Sequence, residues 1–216
     1  ARVQLLGVAI TALSQGVAYF HAGIDVLRSK SMDRNSFDSG DWFNRLDWTY
    51  QTNYFGTGLP PKADNGESWP LMQPLLANDT LRPAPSDIVF ARDVTRDLLA
   101  VRESSTLFRL RTAADIRQRL TFPNTGPAQN PVVLVGHVNG KGYPGSVFKD
   151  VLYLINVDKQ PQDITIPEEA GKAYQLHPVQ AAGSAADARI RTGARFETGS
   201  GRFTVPARSA AVFVTR

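Results

Sequence analysis

The sequence predicts an α/β segment followed by an all-β domain, with the division near residue 110. Three observations predict it. Apolar residues at helical spacing, a glycine and a short apolar run open the chain, which is how a strand-and-helix layer reads. A long segment without lasting period follows, closed by a second helical stripe. Beyond residue 119 the apolar residues alternate, in short runs separated by Gly, Pro, Asn and Asp turns, as in an antiparallel β-sandwich.

Taken in order, Val3, Leu6, Ile10 and Leu13 predict an amphipathic helix over about residues 1–14. No Ser, Thr, Asp or Asn precedes it to cap its first amides, so the chain reads as the C-terminal part of something larger. Residues 17–20, "VAYF", suit a fully buried parallel strand. From His21 to Pro85, "DSGD", "GTGLPPKADNG" and "RPAPSD" punctuate a connection of a length that is usually functional when ordered. Ser86 is the expected N-cap of a helix over 87–104, with Asp87 favourable near its positive end. Its apolar stripe is Ile88, Ala91, Val94, Leu98 and Val101. "TAADIRQR" (112–119) adds a short helical turn. The β runs are "PVVLVGHV", "VLYLINV", "DITI", "AYQLH", "RFTVPA" and "AAVFVT", with His137 and His177 inside them.

Composition narrows the classes. An apolar fraction of 42% with 20% charged residues belongs to a folded chain rather than a disordered one. With no cysteine and three scattered histidines, neither a disulfide nor a thiolate or zinc site is expected from this chain alone. The net charge of +4 raises the question of nucleic acid, but the 18 arginines are spread from Arg2 to Arg216. The nearest approach to a patch, Arg109, Arg111, Arg117 and Arg119, lacks interleaved aromatics, so no nucleic-acid partner is expected. The opening "ARVQLLGVAITALSQGVA" has the outline of a secretory signal, yet Gln4, Thr11, Ser14 and Gln15 interrupt it. It is also too short and polar to span a bilayer. No membrane partner is expected, and the compartment stays open between cytoplasmic and secreted.

The longer motifs carry a resemblance. "LSQGVAYFHAG", "LRSKSMDRNSFDSGDWFNRLDWTY", "NYFGTGLPP" and "SWPL" resemble the pullulanase and limit-dextrinase group of the α-amylase superfamily. "SSTLFRL", "FPNTGP", "LHPVQ" and "GRFTVPARSAAVFV" extend the likeness to the end of the chain. The resemblance implies the last strand, loop and helix of a (β/α)8 barrel over 1–110, and a C-terminal β-sandwich domain over 111–216. Residues 1–14 would be the seventh helix, 17–20 the eighth strand, 21–85 the eighth loop and 87–104 the closing helix. It implies a retaining hydrolase of α-1,6-glucosidic bonds in pullulan and limit dextrins. Its catalytic carboxylates come from strands upstream of Ala1, and Asp33, Asp38, Asp41 and Asp47 match none of them. This chain alone is therefore expected to be inactive, with branched α-glucan and the upstream polypeptide as partners. Calcium is implied only elsewhere in such enzymes, and no cofactor is expected here.

The stretch 31–48, "SMDRNSFDSGDWFNRLDW", concentrates carboxylates, amides and tryptophans without any period. Carried over by position, Arg34, Asn35, Asp41, Trp42 and Asn44 are candidate substrate contacts, with Arg28 and His21 beside them. Arg34 offers a fixed donor fork to hydroxyls or a carboxylate. Asn35 stands where relatives usually carry Asp, and so loses a charge. Trp42 either faces a sugar ring or packs the loop, the second preferred because Trp is usually buried. Asp41 reads more as a brace than a sugar contact, and Arg28 either pairs in the barrel mouth or is solvated. Asp33, Asn35 and Asp38 imitate the start of a calcium loop, but Phe37 occupies a ligand position and no Glu closes it. The competing reading is a non-catalytic carbohydrate-binding or purely structural β-sandwich. It would need a row of exposed aromatics among Phe122, Tyr143, Phe148, Tyr153, Tyr174, Phe196, Phe203 and Phe213.

Overall fold

The structure, a computed structural model, describes residues 1–216. Helices α1 (Arg2–Leu13), α2 (Asp41–Asn44), α3 (Lys62–Asn65), α4 (Trp69–Leu76), α5 (Pro85–Glu103) and α6 (Ala113–Arg119) come first. Then follow β1 (Leu120–Thr121), β2 (Val133–Asn139), β3 (Asp150–Asn156), β4 (Gln162–Thr165) and β5 (Gln175–Leu176). Helices α7 (Pro178–Ala181) and α8 (Ala188–Gly193) precede β6 (Arg195–Glu197), β7 (Arg202–Val205) and β8 (Ser209–Thr215). Contacts group the chain into two compact units, one of Ala1 with His21–Arg92 and one of Arg2–Phe20 with Asp93–Arg216. No helix is long and apolar enough to cross a membrane.

In the second unit two antiparallel sheets form, ordered β1-β2-β3-β8-β5 and β4-β7-β6. Their facing residues make one core: Val133, Val135, Leu152, Leu154 and Phe213 from the larger sheet meet Ile164, Phe203 and Val205 from the smaller. Strand β8 is buried at every residue and β3 at all but its first, since α1 packs over the other face of both. This double cover explains why "VLYLI" and "AAVFV" read as continuous apolar runs. Gly136 stands opposite Tyr153, where a Cβ would come within 2.1 Å of the ring, so only glycine admits that tyrosine.

Helix α1 forms where the spacing predicts it but buries a different stripe. Leu5, Leu6, Val8, Ala9, Ala12 and Leu13 are buried, whereas Val3 and Ile10 are exposed. The helix is apolar on nearly every side, so several stripes fit, and packing chose the one whose small alanines allow close approach. Its C-terminus is held by Arg102, whose guanidinium donates at 2.7 Å to the carbonyls of Ala12, Ser14 and Gly16. Burial, then the charge of Arg109, lowers the Arg102 pKa, though a helix C-terminus favours a cation. Arg102→Met is expected to cost about 2–3 kcal/mol, read as a lower urea midpoint with an unchanged slope.

Residues 17–20 do not form the expected strand, and Val17 and Tyr19 are 78% and 85% exposed. A strand exists only in a ladder, and no strand of this chain pairs with them. The expected N-cap Ser86 lies inside α5, which starts at Pro85; Asp87 instead accepts from the Ala84 N–H at 3.0 Å. Proline at the first helical position supplies the fixed φ and needs no donor. His177 is not in a strand but caps α7, because Pro178 cannot donate to a ladder and starts a helix instead. The segment 21–85 is less irregular than its composition suggests, for α2, α3 and α4 lie within it. Prolines in α4, including the internal Pro74, interrupt its apolar periodicity in the sequence.

Candidate functional site

In the first unit the loop of residues 21–82 is cross-braced by its own polar side chains. Asp33 is one hub. Its carboxylate accepts from the Asn35 N–H at 3.1 Å, from Asn65 Nδ2 at 3.0 Å and from the Ser39 hydroxyl. Burial pushes this carboxyl up, but those bonds and the charge of Lys30 outweigh it and hold it below the usual carboxylate range. Asp47 is the second hub, accepting from Thr49 N and Oγ1, Gln51 N and Thr52 N at 2.6–2.9 Å. The bonds from Thr49 are the main reason its pKa falls to about 2.

Two predicted contacts are braces. Arg28 donates to the Ala22 carbonyl, and to the carbonyl and Oδ1 of Asn44 at 2.9 and 3.0 Å. Asn44 Nδ2 in turn donates to the carbonyls of Ser36 and Gly40. Arg28 is thus neither paired with a carboxylate nor free in solvent; it ties residue 22 to residue 44.

The remaining candidates point outward. Arg34 has an exposed side chain, and its N–H donates to Asn65 Oδ1. Asn35, also exposed, donates to Asp64 Oδ2 at 3.2 Å. Asp41 is exposed at the start of α2, and His21 is exposed at the start of the segment. Trp42 is not buried by packing, being 53% exposed. It is nonetheless held: Nε1 donates to the Thr57 carbonyl at 3.2 Å, and the Arg45 guanidinium lies 4.2 Å over its ring and 3.9 Å over Tyr54. Phe37, not among the candidates of the sequence, is 95% exposed between the buried Ser36 and Ser39, which bonds the Asp33 hub. In the sequence it shows as an unsuitable calcium ligand, and an apolar ring inside a polar run is the signal that marks it. No three His, Cys, Asp or Glu side chains converge as a metal-binding group.

The backbone adds rigidity. Leu27, Ser31, Met32, Tyr50 and Tyr54 have φ between 48° and 64°, a conformation that side chains disfavour. Such strain persists only where the surroundings dictate it, and it clusters at ligand-holding sites. Ser31 shows how: its buried hydroxyl lies 3.0 Å from both the Tyr54 carbonyl and Thr57 Oγ1. The arrangement presents amide, guanidinium and carboxylate groups and two aromatic rings from a pre-set frame.

Residues 50–216 match the family described as alpha-1,6-glucosidases, pullulanase-type, C-terminal. The chain is 43% identical to pullulanase 1, chloroplastic, of Arabidopsis thaliana over 220 residues, covering 99% of this chain and 22% of that relative. The crystal structure of PulA from Klebsiella oxytoca superposes with a TM-score of 0.87 at 29% identity, over 99% of this chain and 20% of that one. A maltotriose complex of PulA from Klebsiella pneumoniae superposes with a TM-score of 0.86 at 29% identity, over 100% and 23%. The chain thus spans about a fifth of the length of these relatives. With a family match over most of its length and a fold of mixed helices and antiparallel sheets like theirs, this chain belongs to the pullulanase-type α-1,6-glucosidases, in their C-terminal region.

Proposed function

We propose that this chain is the C-terminal portion of a debranching hydrolase that cleaves α-1,6-glucosidic bonds in pullulan and limit dextrins with retention. Residues 1–110 end its (β/α)8 barrel and residues 111–216 form its C-terminal β-sandwich. Residues 17–20 become the eighth strand beside strands supplied by the rest of the polypeptide. The catalytic carboxylates lie in that other part. Asp33 and Asp47 are poor candidates for acid or nucleophile, because both are held as internal hydrogen-bond acceptors.

The observation that carries this reading is the braced loop with Arg34, Asn35, Phe37, Asp41 and Trp42 on its outside. It forms one wall of a glucan cleft: the polar groups meet hydroxyls, while the rings of Phe37 and Trp42 meet sugar faces. The maltotriose held by the Klebsiella pneumoniae relative is a ligand of this kind. A self-standing carbohydrate-binding module has less support, since of the eight β-domain aromatics only Phe122 is exposed.

The test is reducing-end release from pullulan by the full-length polypeptide carrying this chain. The full-length protein is expected to hydrolyse it, and folded residues 1–216 alone are expected to release nothing. Phe37→Ala should lower kcat/KM about tenfold, equivalent to ~1.4 kcal/mol of binding, and Phe37→Trp should restore it. Hydrolysis by residues 1–216, or none by the full-length protein, overturns the reading.

A further inference from the structure

The second unit contains a groove of about 620 Å³ beside the β2–β3 connection, lined by Lys141, Lys149, Lys172 and Arg216 together with Asn139 and Ser146. Its four cations are not equivalent. Lys172 Nζ sits 2.6 Å from Glu169 Oε2 and 3.7 Å from Asp150 Oδ1, so its charge is neutralised. Those carboxylates are occupied further: Asp150 by His137 Nε2 and Thr215 Oγ1, both at 2.9 Å, and Glu169 by the Tyr174 hydroxyl at 2.7 Å. Glu169 and Tyr174 are buried, so this network is a fixed floor.

Lys141 and Lys149 form no ion pair and are exposed. Two unneutralised ammonium groups beside one concavity focus a positive potential and attract an anion. We propose that this groove binds a phosphoryl group, as a phosphate monoester of a small polyhydroxy compound. Ammonium groups are point-charge partners for a phosphoryl dianion. On the same wall the Asn139 Oδ1 accepts from the Lys141 N–H and the Ser146 hydroxyl donates to the Gly140 carbonyl, which leaves the Asn139 amide N–H groups to meet an alcohol portion. A nucleotide fits less well, because the groove's one aromatic ring, Phe148, is buried and offers no stacking face. The volume is that of a small-molecule site rather than a polymer track. The site lies within the second unit and does not depend on the proposed hydrolase activity.

The test is calorimetric titration of the full-length polypeptide at low ionic strength with glucose 6-phosphate, inorganic phosphate and glucose. Saturable binding of glucose 6-phosphate is expected, at least tenfold tighter than glucose. Tighter binding of the ester than of inorganic phosphate supports the monoester, and equal affinity overturns that part in favour of free phosphate. The double variant Lys141→Ala/Lys149→Ala should lose at least tenfold in affinity, with Lys141→Gln giving a smaller loss should the double variant fold poorly. No saturable phosphate-dependent heat, or wild-type affinity in both variants, overturns the proposal.

Discussion

Replacing Phe203 with alanine is expected to cost about 3–5 kcal/mol, the range for truncating a buried phenyl ring. Phe203 is fully buried on β7, and its ring lies 4.5 Å from Phe196, 5.3 Å from Tyr174 and 5.2 Å from Phe213. The Tyr174 and Phe213 contacts are edge-on, the arrangement aromatic quadrupoles favour. Phe213 belongs to β8 of the other sheet, so Phe203 is a joint between the sheets as well as core volume. Phe196→Ala, at a half-buried neighbour, should cost less than half as much. Urea denaturation followed by tryptophan-independent circular dichroism compares the two. Equal losses would show that the cluster, rather than the central ring, sets the cost.

Acid is expected to weaken the second unit through His177. This side chain is buried, with the rings of Phe108 and Phe148 edge-on at 6.5 and 5.4 Å. Its Nδ1 accepts from the Val179 N–H at 3.2 Å. The proton is therefore on Nε2, which donates to Ser104 Oγ at 3.0 Å, while that hydroxyl donates to the Val101 carbonyl. Burial lowers the His177 pKa from 6.5 to about 4. The unfolded chain takes up a proton near the higher value and the folded chain only near the lower. Stability from this group is thus complete above about pH 6.5 and falls progressively toward pH 4, by a total on the order of 3 kcal/mol. His177→Asn keeps a capping acceptor but does not titrate. It should flatten the stability profile between pH 4 and 6.5, at the cost of the Ser104 bond; a profile as steep as the wild type would show that other groups are responsible.

Much of the fold was legible because short-range chemistry fixes it. Thr112, expected to open a short helix, accepts from the Asp115 N–H and caps α6. Five of the six β runs coincide closely with β2, β3, β4, β7 and β8, whose alternation or full burial follows from the sheets they join. Two-residue β1 and three-residue β6 carry too little pattern to be read, and α7 and α8 are too short to show a helical period. For the candidate loop, the residue types were legible and their division of labour was not. Nothing in the sequence says that Arg28 and Asn44 face each other as braces while Phe37 stands out in solvent.

The sequence by itself determined where helices and strands arise, the polar and aromatic character of residues 31–48, and the family that its long motifs resemble. Those properties depend on neighbours a few residues away, or on motif identity. Only the tertiary structure decided which stripe of α1 is buried and that residues 17–20 lack a ladder within this chain. It also decided that Arg102 closes α1 from 86–90 residues away and that a buried carboxylate network leaves Lys141 and Lys149 without partners. Each of these turns on which distant groups share a neighbourhood, and local propensity carries no information about that.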